Sequence, residues 1–441
     1  MLNSVVIKKK LISFNKKIFV SGDKSISIRW ILLASLANGV SKAQNLLISE
    51  DVKAAVKTIR KLGIKVILNN KLCKIYGKGI DGFKYKKNLT IDAENSGTLG
   101  RLILGLLINT TEPIKLIGDK SLSKRDFKRI SDPLSKFGGI FKLKNKKNLP
   151  LTIYNSKNLQ PISYMENRGS AQCKSAVIFG GMRVNGTTTI KAKKSRNHTE
   201  LMCKYLKLPV TVINSKNYDL IKVKKVKKIK PFDYKIPSDI SSSSFFIILT
   251  ALSENSKLVI KNVNINPSRI GIISILKKMG VKIAFQNKQT YKGEKVADIK
   301  VEGGKNLKAI NCPTKLNSSA IDEFLTIFLV AAKAKGISYF KDIAELNQKE
   351  SPRLKWGSKI LNKMGVKNIV TDDSIKIYGD PNFIINKKIV IKDYLKDHRV
   401  FMTSVIAALS FGGEWHIHDK DSIKTSFPNF LNIINKLKTN D

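Results

Sequence analysis

Lys61-Leu62-Gly63-Ile64-Lys65-Val66 reads as the last turn of an amphipathic helix, a glycine and the start of a β-branched strand. Glycine fits the left-handed position that follows a helix C-terminus, and the apolar residue before it packs the last turn onto a sheet. The same pattern returns at Lys136-Phe137-Gly138-Gly139-Ile140, Lys278-Met279-Gly280-Val281-Lys282 and Lys363-Met364-Gly365-Val366-Lys367. Tyr205-Leu206-Lys207-Leu208-Pro209-Val210 is a degenerate copy without the glycine. Recurring helix-plus-strand units predict an α/β (α+β) repeat architecture.

The chain has 441 residues, more than one hydrophobic core usually serves, so two domains are expected. A composition break near Lys222 to Pro237 separates a front half, from about residue 21 to about 235, from a back half. A ligand site drawing on both halves is expected in the cleft between them. Phe324 to Ala332 is the kind of apolar run that forms a buried helix, and no run approaches membrane-spanning length. The first residues, Met1 to Lys8, have no basic region ahead of their short apolar patch and do not read as a signal peptide. Cys73, Cys173, Cys203 and Cys312 are scattered, as are the four histidines, so no metal site is expected and the protein reads as reduced and cytoplasmic.

The formal net charge is +48, but only 11 of the 81 basic residues are Arg. The Lys excess runs along the whole chain with much Asn and Ile, as an AT-rich coding bias gives, and aromatic residues are sparse at 7%. The charge is therefore read without a nucleic-acid partner. The run from Lys222 to Lys230 reads as a solvated edge or linker. In so Lys-rich a chain, the arginines that persist mark places that need a planar fork for an anion.

Most of these arginines fall beside polar helix starts. Gly22-Asp23-Lys24-Ser25-Ile26-Ser27-Ile28-Arg29 places a Lys, two hydroxyls and an Arg where a helix N-terminus offers free N–H groups. Asn95-Ser96-Gly97-Thr98-Leu99-Gly100-Arg101 repeats the theme, with Gly97 open to close approach by an anion. In Gly118 to Asp126, Arg125 precedes Arg129 by four residues, so the two are expected on one helical face. Ser170-Ala171-Gln172 and Ser195-Arg196-Asn197-His198-Thr199-Glu200 open two more helices, Ser170 as N-cap and His198 in a structural role. Ile321-Asp322-Glu323 heads an apolar helix, where a carboxylate is costly unless it has a task or a partner. Lys349-Glu350-Ser351-Pro352-Arg353, Asp397-His398-Arg399 and Lys424-Thr425-Ser426-Phe427-Pro428 complete the set. Each alone is explained by a helix cap or a surface ion pair; nine in one chain are not.

In order, these motifs resemble the 5-enolpyruvylshikimate-3-phosphate synthase family over residues 22–428. The resemblance implies a two-domain inside-out α/β barrel, each domain built of three βαβαββ units. One domain would be discontinuous, residues 1–20 plus 236–441, and the other would be 21–235, with the active site in the cleft between them. It implies transfer of the enolpyruvyl group of phosphoenolpyruvate to the 5-hydroxyl of shikimate 3-phosphate, in the shikimate pathway toward chorismate and the aromatic amino acids. Shikimate 3-phosphate would be bound by Lys24, Ser25, Arg29, Ser170, Ala171, Gln172, Arg196, Asp322 and Lys349. Phosphoenolpyruvate would be bound by Lys24, Gly97, Arg125, Gln172, Arg353, Arg399 and Lys424. Asp322 is expected to be the base for the hydroxyl, and Glu350, with Lys24, the proton donor to the methylene carbon, a role that requires Glu350 to hold a proton. No cofactor or metal is implied, and a monomer is expected.

The chain departs from the family pattern at Ile28 and Trp30, at Asp126 after Arg125, at Pro352 before Arg353 and at Phe401. Pro352 keeps open an inactive relative that only binds anions. Gly97 carries no methyl group to crowd the phosphoenolpyruvate site, so sensitivity to glyphosate is expected. UDP-N-acetylglucosamine enolpyruvyl transferase is the nearest rival, but the chain has Lys24-Ser25 where that family has Lys-Asn, and no Cys between Gly118 and Arg125. A basic nucleic-acid-binding protein is the rival from another class.

Overall fold

The structure is a computed structural model that describes residues 3–69, 72–156 and 158–439. The chain forms two units, one of Met1–Ser21, Pro237–Thr290 and Lys295–Asp441, the other of Gly22–Ile236 with Tyr291–Glu294. They are called here the outer and the inner unit, by their place in the sequence.

The inner unit has three four-stranded sheets of one design. In one, Leu89–Asp92 lies parallel to Ile114–Ile117, which pairs antiparallel with Asn148–Tyr154, itself antiparallel to Ile140–Lys144. In another, Ser163–Glu166 lies parallel to Thr187–Lys193, followed by Tyr218–Lys224 and Val210–Asn214. In the third, Asn38–Gln44 pairs with Leu72–Lys78 and Lys65–Leu68, and the parallel edge strand, Tyr234–Lys235, comes from the returning chain. In the first two sheets the parallel crossover runs through a helix, Gly97–Leu106 and Ala171–Gly181 respectively. The βαβαββ order is complete in the first two copies, and in the third the first strand is supplied by the returning chain.

The outer unit repeats the design with looser edges. Asn15–Phe19 is parallel to Lys257–Asn264, which continues to Glu294–Glu302 and Lys282–Tyr291. Gly336–Phe340, Ile375–Gly379 and Asn368–Val370 form a three-stranded sheet whose parallel edge is reduced to bridges at Lys308 and Asn311. Lys388–Ile391 is parallel to Glu414–His418, and Ser4–Ile7 closes that sheet.

The helix–glycine–strand turns take the conformation expected of them. Gly63, Gly138, Gly280 and Gly365 have φ of 84°, 101°, 89° and 100°. Lys207 occupies the same place in the degenerate copy with φ of 52°, a strain of about 1–2 kcal/mol that a side chain bears and glycine avoids. Each unit has its own apolar core. In the outer unit Phe245, Phe246, Phe427 and Phe430 pack with ring centroids under 6 Å apart. Phe324–Lys333 is a buried helix, as its composition predicts.

Candidate active site

In the inner unit the polar motifs stand at the starts of crossover helices. Asp23 caps Lys24–Ser35, accepting from the Ile26 amide at 2.9 Å. Ser96 caps Gly97–Leu106 and Ser170 caps Ala171–Gly181, each accepting from an amide three residues on at 3.3 Å. The last two helices lie close because Gly105 meets the Ala176 carbonyl where a Cβ would stand only 2.1 Å away. That contact brings Gln172 to Thr98, its amide donating at 3.0 Å, and to Arg101, which donates to its carbonyl oxygen.

Around Gly97 the positive charge is dense. A methyl group there would stand 3.1 Å from Arg125 Nη1 and 3.8 Å from Arg101 Nη1. Arg125 donates to Asn95 Oδ1 at 3.1 Å, and Arg101 lies over the Phe127 ring at 5.6 Å. Burial, then the charges of Arg125 and Arg129, push the Arg101 guanidinium down to about 10. Arg125 and Arg129 do not share a helix face. Asp119 caps the short turn Leu122–Lys124 through the Leu122 amide at 2.7 Å, Arg125 is extended, and the next helix begins at Lys128.

Lys24 pairs with Asp51 at 2.9 Å. The buried Arg29 donates from Nε to Thr199 Oγ1 at 2.7 Å, from Nη2 to Ser175 Oγ at 3.1 Å and from Nη1 to the Ser25 carbonyl at 3.0 Å. Arg196 lies two residues before the helix His198–Tyr205, and Ala171 is the first residue of its helix. His198 is buried with Nδ1 2.6 Å from Glu294 Oε1, a structural role as expected.

In the outer unit, Asp322, Lys349, Glu350 and Arg353 come together. Asp322 Oδ1 is 3.5 Å from Lys349 Nζ and 3.5 Å from Arg353 Nη1, and Arg353 also pairs with Glu350. Beneath them Asp397 takes Arg353 Nε at 2.9 Å and Nη2 at 3.2 Å, and Ser351 Oγ at 2.9 Å. Burial works against the Arg353 charge, but Asp397, Glu350 and Asp322 outweigh it and hold the guanidinium above its ordinary value. Burial would likewise raise the Asp397 carboxyl; Arg353 outweighs burial and holds it below the usual carboxylate range. Pro352 takes the N-cap position of the helix Arg353–Met364, where no amide hydrogen is needed, so Arg353 keeps its bonds to Asp397.

Arg399 donates to the Asp322 carbonyl at 2.7 Å and lies 3.8 Å from Glu323. Phe401 is fully buried in the core. The Lys424 ammonium meets Asp421 at 2.9 Å, and its side chain is more than half exposed. The turn that carries it is tied to the Asp397 helix start, Thr425 Oγ1 lying 3.3 Å from His398 Nδ1.

Sequence reasoning missed several partners. Asp51 and Asp397 anchor Lys24 and Arg353 from 27 and 44 residues away. A further helix start, Asp239-Ile240-Ser241, carries its own network: Arg269 Nη2 meets Asp239 at 3.1 Å and Ser241 at 2.8 Å, and Ser241 donates to Glu323. The signal was there, an Asp before an apolar helix and an Arg in a Lys-rich chain. All four cysteines are buried; burial pushes the Cys73 thiol up to about 12 and Cys312 up to about 11, far from a reactive thiolate. Among the described residues no helix is long and apolar enough to cross a membrane.

The profile of the family EPSP synthase (3-phosphoshikimate 1-carboxyvinyltransferase) matches residues 9–434. A 3-phosphoshikimate 1-carboxyvinyltransferase of Ruthia magnifica subsp. Calyptogena magnifica is 40% identical over 423 residues, 96% of this chain and 95% of that one. One from Petrotoga mobilis is 35% identical over 97% of this chain and 98% of its own. The solved EPSP synthase of Acinetobacter baumannii superposes with a TM-score of 0.87 at 33% identity, covering 99% and 98% of the two chains. The enolpyruvyl transferase NikO from Streptomyces tendae shares the fold, with a TM-score of 0.77 at 13% identity over 99% and 97%. The α/β repeat fold predicted from the helix–glycine–strand turns is thus the fold of these enzymes, and the chain belongs to the EPSP synthase (3-phosphoshikimate 1-carboxyvinyltransferase) family.

Proposed function

We propose that the helix-start clusters of the two units together carry out this family's reaction, transfer of the enolpyruvyl group of phosphoenolpyruvate to the 5-hydroxyl of shikimate 3-phosphate with release of phosphate. The observation that supports it best is the joining of Asp322, Lys349, Glu350 and Arg353 in the outer unit, because the chemistry needs carboxylates held among cations.

The hydroxyl is a poor nucleophile and the enol ether carbon a poor electrophile. In the addition step Glu350, with Lys24, delivers a proton to the methylene carbon. The electron pair of the double bond forms the new C–H bond, and cationic character develops at C2. Asp322 takes the hydroxyl proton as oxygen bonds to C2. In the elimination step the C2–O bond to phosphate breaks, a proton leaves the methyl carbon to Glu350, and the double bond returns. Arg353, Arg399 and Lys424, with Arg125 and Gly97 of the inner unit, hold phosphoenolpyruvate and stabilise the departing phosphate. Lys24, Ser25, Arg29, Ser170, Ala171, Gln172, Arg196 and Lys349 hold shikimate 3-phosphate, with Asp322 against its hydroxyl. Gln172, bonded to both Thr98 and Arg101, contacts both substrates. Drawing the two clusters onto one substrate pair excludes water and assembles the site.

Purified protein mixed with both substrates should release phosphate, and omission of either should abolish release. No release with both substrates present, or release that persists when one is omitted, would refute the reaction. Gly97 leaves the phosphoenolpyruvate end uncrowded, so millimolar glyphosate should inhibit turnover; unaffected turnover would remove that feature of the proposal. The protein acts as a cytoplasmic monomer without nucleic acid; a salt-sensitive shift with generic duplex DNA at physiological ionic strength would argue otherwise.

A further inference from the structure

Arg29 is buried at 2% exposure, so its guanidinium must be aimed by its surroundings. Two hydroxyl oxygens do this along one edge: Thr199 Oγ1 accepts from Nε at 2.7 Å and Ser175 Oγ accepts from Nη2 at 3.1 Å. The two oxygens are themselves 2.7 Å apart and hydrogen-bonded. They present the Nε–Nη2 edge with the paired acceptors that a carboxylate would offer, but they are neutral. A carboxylate in that place would fix the fork and cancel its charge; two hydroxyls fix the fork and add no negative charge.

The hydroxyls are held from behind. Ser175 follows Lys174, whose fully buried ammonium lies 2.6 Å from Glu200 Oε1, and Glu200 follows Thr199. One ion pair thus locks the helix Ala171–Gly181 against the helix His198–Tyr205, and adjacent residues on each supply the two oxygens. The lock lies within about a turn of Ser170, Ala171 and Gln172 and four residues from Arg196. A buried Lys–Glu pair strands a charge if either partner is lost, so the spacing of the two helices is strongly enforced.

We propose that Thr199, with Ser175, is a positioning element that aims Arg29 at the anionic end of shikimate 3-phosphate. This rests on the reading of Arg29 as a ligand of that substrate. Replacing Thr199 by Val keeps the shape and removes the acceptor, leaving a charged N–H unpaired in a buried place; Thr199→Ser keeps the acceptor.

The test is steady-state kinetics on Thr199→Val and Thr199→Ser, with calorimetric titration of shikimate 3-phosphate and a thermal midpoint for each. Thr199→Val should raise KM and Kd for shikimate 3-phosphate about tenfold or more, the range for a lost bond to a charged group. KM for phosphoenolpyruvate and kcat should stay within about threefold and Thr199→Ser within about twofold of wild type, because the fork is aimed again. A merely structural role predicts a lower thermal midpoint and a smaller active fraction, with apparent kcat down and KM unmoved. Unchanged KM and Kd in Thr199→Val, or equal damage in Thr199→Ser, would overturn the proposal while leaving the reaction standing. Wild-type binding without turnover, weakened by Thr199→Val, would keep the proposal and overturn the reaction. A wild type that neither binds nor turns over shikimate 3-phosphate would overturn both.

Discussion

The two units solve the problem of holding an arginine at a helix start in different ways. In the inner unit, neutral oxygens do it: Thr199, Ser175 and the Ser25 carbonyl for Arg29, Gln172 for Arg101, Asn95 for Arg125. In the outer unit, carboxylates surround Arg353, namely Asp397, Glu350 and Asp322, while Arg399 donates to the Asp322 carbonyl with Glu323 nearby. A neutral acceptor fixes geometry and leaves positive charge to an incoming anion. A carboxylate neutralises its arginine but gains an aligned, charge-supported oxygen that can take or give a proton. On the proposed roles, neutral acceptors suit the inner arginines to anion capture, and the carboxylates around Arg353 suit the outer unit to proton transfer beside the cations that hold phosphoenolpyruvate.

The largest expected difference is in stability. Arg353→Met strands the fully buried Asp397, costing about 3–5 kcal/mol as broken buried pairs do. The pH dependence follows from the sign. In the wild type the depressed Asp397 carboxyl contributes stability that is full above the ordinary carboxylate range and is lost as pH falls through its lowered value. Without Arg353, burial dominates and the carboxyl becomes easier to protonate. The stability gap between variant and wild type should therefore narrow as pH is lowered in denaturant titrations; a gap that widens would break the contrast.

Next comes Arg125→Gln in the inner unit. It removes the donor to Asn95 and Ser121. KM for phosphoenolpyruvate should rise about 10- to 100-fold, the worth of a charge-assisted contact, with kcat changed less. A KM for phosphoenolpyruvate unchanged from wild type would remove Arg125 from that substrate's site. The smallest effect belongs to Gly97→Ala. Its methyl group would sit 3.1 Å from Arg125 Nη1, a contact that a guanidinium relieves by shifting a few tenths of an ångström. KM for phosphoenolpyruvate should rise by about two- to fivefold, as a small loss of contact energy gives.

Local signals were legible in the sequence and long-range ones were not. The four glycine turns could be read because left-handed backbone restricts residue choice at a single position, and even the copy at Lys207 kept the conformation without the glycine. Ser170 could be read as a cap because a cap is settled within three residues. The shared face expected for Arg125 and Arg129 failed because Asp119 diverts the chain into a short turn, an event spacing does not encode. Asp397 beneath Arg353, Asp51 on Lys24 and Thr199 behind Arg29 are 44, 27 and 170 residues from the groups they hold. Nothing local marks such a pairing. The motifs offered the residues of the proposed site, and folding showed which groups they meet.

The most direct test of the division of labour is the steady-state behaviour of Asp322→Asn, which keeps the shape of the side chain beside Lys349 and Arg353 and removes its basicity. Phosphate release should fall in kcat by about 10²- to 10⁴-fold, the contribution of a placed general base, with KM for both substrates within about threefold. A variant that keeps kcat near wild type and loses affinity for shikimate 3-phosphate would make Asp322 a binding residue and contradict the assignment of proton transfer to the outer unit.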